Sequence, residues 1–191
     1  MKATILNGSN KDDKVLADIH SVIVGELSSK GWDVKSFLLH EMKIAYCLGC
    51  FECWVKTPGE CRYNDDGREI ARQFIQNDLV VFLTPVTFGG YSAELKKALD
   101  RIICLISPFF MKINGEVHHR KRYDKYPRLL GLGVMPGEDK QSEQIFTTLV
   151  GRNSINIHSP AHKGAVIMKN QGADTIRQQI KTYISWFGVA Q

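Results

Sequence analysis

A chain of 191 residues, 43% hydrophobic and carrying a formal charge of +5, can bury one core but hardly two, so a single domain over residues 1–191 is expected. No run approaches eighteen apolar residues and the start lacks a leader-like pattern, so no membrane span, no signal peptide and a cytoplasmic location are expected. Five cysteines, one of them isolated at Cys104, suit a reducing compartment better than a secreted disulfide framework.

Short β-branched runs alternate with stretches at helical period, the pattern of a parallel sheet covered on both faces. The first strand is expected at residues 3–7 and is followed by the turn Asn7-Gly8-Ser9-Asn10-Lys11. Such a turn before a helix can present N–H groups to an anion, with Ser9, Asn10, Lys11 and Lys14 as candidate ligands. A simple turn with a serine near the cap accounts for the same residues. The turn matches neither G-x-G-x-x-G nor the P-loop pattern, which argues against a dinucleotide Rossmann site and an NTPase. Val15, Leu16, Ile19, Ile23 and Leu27 then repeat on one helical face, a core stripe. A second strand is expected at residues 33–39.

The string CLGCFECWVKTPGEC places Cys47, Cys50, Cys53 and Cys61 in a C-x2-C-x2-C-x7-C spacing. Thiols at a three-residue step can converge on one compact inorganic core, and this clustering suits iron-sulfur ligation better than a zinc ribbon with its separated knuckles. Reduced, partly buried thiols in a tight loop, or a cycling dithiol, are equally consistent with the string.

Ile70, Phe74 and Ile75 mark the next helix. A strand is expected at residues 79–84, and the loop Pro85-Val86-Thr87-Phe88-Gly89-Gly90-Tyr91 follows it. In an open doubly wound sheet, ligands sit beyond the carboxyl ends of the strands, so this loop and the one after the first strand are the functional candidates. Leu95, Leu99, Ile102 and Ile103 form a further stripe, with Asp100-Arg101 read as a structural pair closing that helix. Residues 107–128 are expected to be an elaborated loop; within it, residues 111–128 carry six Lys or Arg against two acidic residues. That surplus is too local for a nucleic-acid footprint. Arg120, Lys121, Arg122 and Arg128 are candidates for pyridine-nucleotide phosphates, and packing against a neighbouring subunit is the alternative. His118 and His119 lack a third ligand, so no zinc is expected there. Strands at residues 129–134 and 164–168 complete five.

Residues 79–101 resemble the flavin-ring loop and following helix of NAD(P)H-dependent FMN reductases and flavodoxin-like oxidoreductases. The cysteine string followed by Asp65 and Asp66 resembles that of iron-sulfur flavoproteins in the same superfamily. The resemblance implies a flavodoxin-like three-layer α/β fold with sheet order 2-1-3-4-5. It also implies noncovalent FMN, its phosphate at Gly8, Ser9 and Asn10 and its ring against Pro85, Val86, Thr87, Phe88 and Gly89, with Phe88 or Tyr91 as an aromatic wall. Lys11 or Lys14 would replace the hydroxyl donors usual in such turns. The activity implied is hydride transfer from NAD(P)H through FMN to a quinone-like, flavin or other small acceptor, with no catalytic side chain. The alternative is an electron-transfer iron-sulfur flavoprotein with a 4Fe-4S cluster on Cys47, Cys50, Cys53 and Cys61, served by a ferredoxin-like partner. A homodimer or homotetramer, without nucleic acid or membrane, is expected. A zinc-stapled nucleic-acid module is the third class.

Overall fold

The computed structural model describes residues 1–188. The chain runs β1 (Lys2–Asn7), α1 (Lys14–Ser29), β2 (Asp33–Leu38), α2 (Glu52–Val55), α3 (Asp66–Gln76), β3 (Leu79–Pro85), α4 (Ala93–Arg101), β4 (Ile106–Ile113), β5 (Glu116–Lys121), β6 (Arg128–Met135), α5 (Lys140–Asn156), β7 (His162–Met168) and α6 (Ala173–Gly188), with 3-10 turns at Leu39–Glu41 and Ile102–Leu105. Five strands form one parallel sheet in the order β2-β1-β3-β6-β7. β1 and β3 are buried nearly throughout, as continuous apolar runs such as LVVFLT require when helices cover both faces.

The strand order corrects the expected 2-1-3-4-5. Two strands not anticipated, β4 and β5, intervene and pair with each other as a separate antiparallel hairpin, so β6 and β7 hold the last two places in the sheet. The expected loop at 107–128 is therefore largely a hairpin. Its turn is Asn114-Gly115, both at positive φ, the residue pair that a two-residue turn of this hand demands.

On one face α1 and α6 bury Ile19, Ile23, Leu27, Ile180 and Ile184. On the other, α3, α4 and α5 pack an aromatic-rich core including Phe74, Phe82 and Phe146. Among the described residues no helix is long and apolar enough to cross a membrane.

Candidate functional site

The first candidate region lies at the carboxyl edge of β1 and β3. Gly8 donates its N–H to Leu83 O at 2.8 Å, and its carbonyl accepts from Ser92 Oγ at 2.7 Å. Ser92 is also the cap of α4, accepting from Leu95 N, and its own N–H goes to Thr84 Oγ1 at 2.9 Å. A Cβ on Gly8 would stand 2.5 Å from Ser92 Oγ and 2.8 Å from Leu95 Cβ. Glycine is required here so that the two loops can touch, not only for approach to a phosphate.

Of the predicted phosphate ligands, Ser9 is buried while Asn10, Lys11 and Lys14 are exposed. Ser9 N donates to Asn7 Oδ1, and Ser9 O is met by His40 Nδ1 at 3.1 Å. Beyond it, the N–H groups of Asn10, Lys11 and Asp12 donate to no protein acceptor among the described residues, leaving free donors beside the positive end of α1. Asp13 caps that helix through Leu16 N and pairs with Lys169 Nζ at 2.6 Å. Of the two acids beside these donors, Asp13 is paired with Lys169, whereas exposed Asp12 has no ion-pair partner among the described residues; the free N–H groups are the part of the site that fits a phosphate. Lys169, at the end of β7, is 155 positions beyond Lys14, and no sequence signal pointed to it.

After β3, Thr87 and Gly90 exchange both backbone hydrogen bonds, at 3.0 and 2.9 Å, around Phe88 and Gly89 at φ 50° and 76°. This tight turn holds the Phe88 ring wholly in solvent at 100% exposure. Positive φ costs a bulky residue about 1 kcal/mol or more. A Cβ on Gly89 would meet Ile145 at 2.7 Å. Pro85 and Val86 are half-buried, Val86 N bonding Val134 O, and Thr87 is exposed. Tyr91 turns inward, its ring edge-on to Phe82 and Phe146 and its hydroxyl accepting from Asn153 Nδ2 at 3.0 Å. Burial raises its pKa far above the ordinary phenol value, although the Asn153 bond opposes the shift. Phe88, not Tyr91, presents an aromatic face.

The second region is the cysteine string. Its four thiols are free and line one cavity of about 520 Å³ together with Leu48, Phe51, Arg101, Ile103 and His119. Cys47 and Cys50 are exposed and Cys53 is buried. Burial, then the proximity of Cys61, Cys47 and Cys50, raises the Cys53 pKa. Among the described residues no three His, Cys, Asp or Glu side chains are placed to hold a single metal ion. Four thiols are the donor type that an iron-sulfur group takes, and all four line this one cavity. Cys104, read as isolated, is 1% exposed and lines a second cavity with Cys61. Burial first, then Cys53 and Cys61, pushes its thiol up to about 12.

Phe51, at φ 56°, stacks on Trp54 with ring centroids 5.0 Å apart. Trp54 Nε1 in turn donates to Ile106 O at 3.0 Å, and its ring lies 4.9 Å from His119. The hairpin thus braces the cysteine string. His118 meets Asn156 Oδ1 at 2.8 Å and Glu116 Oε2 at 3.0 Å.

Two expectations about charge are corrected. Asp100 and Arg101 do not pair: Asp100 binds Lys96 on the surface, whereas Arg101, 2% exposed, forks onto Asp65 at 2.8 and 2.9 Å. Helical geometry explains this, because adjacent residues point to different sides. Arg128 cannot serve a nucleotide at the carboxyl edge. It opens β6 opposite Leu79, at the other end of the sheet, where it donates to Phe187 O and lies over Trp32. Arg120 and Arg122 donate to Phe110 O and Ile106 O within the hairpin.

Comparison with known proteins bears on the family and the fold. The family described as NADPH-dependent FMN reductase matches residues 1–125. An iron-sulfur flavoprotein of Archaeoglobus fulgidus is 31% identical over 103 residues, 54% of this chain and 46% of that one. The chain thus spans about half the length of that curated relative. An iron-sulfur flavoprotein of Methanosarcina thermophila is 23% identical over 94% of this chain and 88% of its own. Among solved structures, the NAD(P)H:quinone oxidoreductase from Methanothermobacter marburgensis superposes with a TM-score of 0.70 at 13% identity, covering 98% of this chain and 95% of that one. An FMN-dependent NADH-azoreductase from Bacillus anthracis in complex with FMN gives 0.68 at 13% identity, covering 98% and 97%. These likenesses carry the flavodoxin-like fold, and with well over half of its length, residues 1–125 of 191, matched by the family, the chain belongs to the NADPH-dependent FMN reductases.

Proposed function

We propose that this protein is an FMN-dependent oxidoreductase that accepts a hydride from NAD(P)H and delivers electrons to a small acceptor. The observation that carries the reading is the pairing, at one sheet edge, of free backbone donors at Asn10, Lys11 and Asp12 with the left-handed Phe88-Gly89 turn. When bound, FMN supplies the hydride chemistry, and the protein contributes binding, orientation and electrostatics. The amides of residues 10–12 with Lys11 and Lys14 would hold its phosphate. Pro85, Val86, Thr87 and Gly89 would flank its ring, and Phe88 would cover it. No side chain need exchange a proton. The decisive measurement is FMN titration of the purified protein followed by anaerobic reduction with NADH and NADPH. Saturable FMN binding and bleaching by a reduced pyridine nucleotide are expected, and absence of saturable binding overturns the reading. Replacing Lys11 and Lys14 by Met should weaken FMN by about three- to tenfold, as for exposed charge contacts.

A second reading, an iron-sulfur flavoprotein passing single electrons, is favoured by the four free thiols around one cavity. Cys47, Cys50, Cys53 and Cys61 would hold the cluster. Iron and sulfide counted per chain after anaerobic reconstitution test it, and zinc without iron would overturn it. Tyr46, Leu48, Phe51 and Val55 in and around the string, and Phe109 and Phe110 on the hairpin, are exposed apolar side chains, which supports a protein neighbour there, either another protomer or a ferredoxin-like electron partner.

A further inference from the structure

The chain enters and leaves the cysteine string at one place. Arg101 Nη1 donates to Ala45 O at 2.8 Å, two residues before Cys47, and Arg101 Nη2 reaches Tyr63 O at 3.4 Å, two residues after Cys61. Asp65 accepts both guanidinium bonds and also the Ala45 N–H at 2.9 Å, while its other oxygen caps α3 through Gly67 N at 3.0 Å. The two charged groups thus tie the entering segment at Ala45, the leaving segment at Tyr63, α3 and α4 into one knot. Arg68 reinforces the exit, donating to Cys61 O and Tyr63 O, both at 2.9 Å. Arg101 also lines the thiol cavity, and its buried Nε–H finds no partner, although the fork at the other end of the guanidinium is fully engaged. A buried donor left without an acceptor is uncommon and calls for one.

We propose that Arg101 and Asp65 form a clasp that preorganises the four cysteines, and that Arg101 Nε–H supplies a hydrogen bond to a sulfur of the group they hold. The pair acts through position: Asp65 fixes the guanidinium plane and the backbone at Ala45, and the plane fixes the spacing between the two ends of the string. A bidentate fork does this where a lysine could not, because the ammonium is a point charge without a fixed plane. Outer partners of this kind typically change metal retention by about 10- to 100-fold. This inference rests on the reading of the cysteines as a ligand set for its metal arm, but its thiol arm does not.

The test uses the full chain with Asp65→Asn and Arg101→Lys, each preserving size or charge, and Ile180→Ala on the opposite sheet face as a control lowering stability without touching the string. In apo protein, Cys47 and Cys50 should be alkylated at changed rates, about tenfold from wild type, in both clasp variants. After anaerobic reconstitution, iron should be lost to a chelator about tenfold faster. The double variant should be no worse than the poorer single one, because the two residues act as a unit. Ile180→Ala should leave both readouts at wild-type values. Clasp variants that fold yet match wild type in both readouts within about twofold overturn the proposal, as does an equal change in Ile180→Ala. So does failure of both clasp variants to fold, which would assign the pair to the core rather than to the string. If wild-type protein takes up no iron, the cluster reading fails alone, and alkylation rates still decide the clasp.

Discussion

Against the α1 and α6 face the sheet packs Ile19, Ile23, Leu27, Ile180 and Ile184, each at most 2% exposed. On the opposite face, Phe82 and Ile103 border an open cavity roofed by the cysteine string and hairpin. The sealed face is built mainly from branched aliphatic side chains, with Trp32 and Phe187, and among the described residues its core carries no cysteine. The cavity face carries Phe74, Phe82 and Phe146, together with Cys53, Cys104 and the Arg101–Asp65 pair. Burial and chemistry are thus divided between the two sides of one sheet: the first is closed by apolar side chains, and the second leaves a cavity of about 520 Å³.

The sharpest break of that comparison is a matched truncation. Ile23→Ala should cost about 2–5 kcal/mol, since it opens a void in a closed layer. Ile103→Ala, on a wall that already borders space, should cost about 1–2 kcal/mol. Urea denaturation of both variants measures the difference, and equal losses would show the cavity to be closed in solution.

Gly8→Ala probes the junction between the first and third strand loops. The added methyl meets Ser92 and Leu95 and should destabilise by about 1–3 kcal/mol. Loss of FMN affinity should accompany it, and a variant with unchanged thermal midpoint and FMN affinity would contradict the close approach.

Acid distinguishes the faces as well. Burial raises the Asp65 pKa, but hydrogen bonds from Arg101 and the Ala45 amide outweigh it, and the group lies below the ordinary carboxylate range. Stability from a lowered carboxylate is full above its unfolded pKa of about 3.9 and is lost as pH falls through the folded value. The acid limb of the stability curve, below about pH 4, should therefore flatten in Asp65→Asn. Chevron or urea midpoints across that range check it, and an unaltered limb would remove Asp65 from the account.

The smallest effect is expected at Lys169. Its bond to Asp13 is partly exposed, so Lys169→Met should cost about 0–1 kcal/mol. FMN affinity should fall further than stability does, because Asp13 would then face the phosphate unpaired. Titration of the variant with FMN separates the two.

The sheet was legible in the sequence because fully buried strands announce themselves as apolar runs. The strands expected at 79–84 and 129–134 appear as Leu79–Pro85 and Arg128–Met135. The hairpin was not legible in the same way: β4 shows Phe109, Phe110 and Met111 to solvent, so no buried-face alternation marks it. The Asn114-Gly115 pair was the signal available. At the site, local motifs pointed to the cysteine string and the loop after β3. What they could not give was contact across distance, since Asp65 and Arg101 are separated by 36 positions, and Tyr91 differs from Phe88 only in which way a tight turn directs it.

The position of Arg101 in the chain has a consequence for biosynthesis. Cys61 is made 40 residues before Arg101, a delay of about 2–8 s at usual translation rates. During that interval the four thiols sit on a tether whose second anchor has not been made. Shaping of the thiol cavity therefore waits for α4, and loading of any metal into a finished site belongs to the period after that helix has been synthesised.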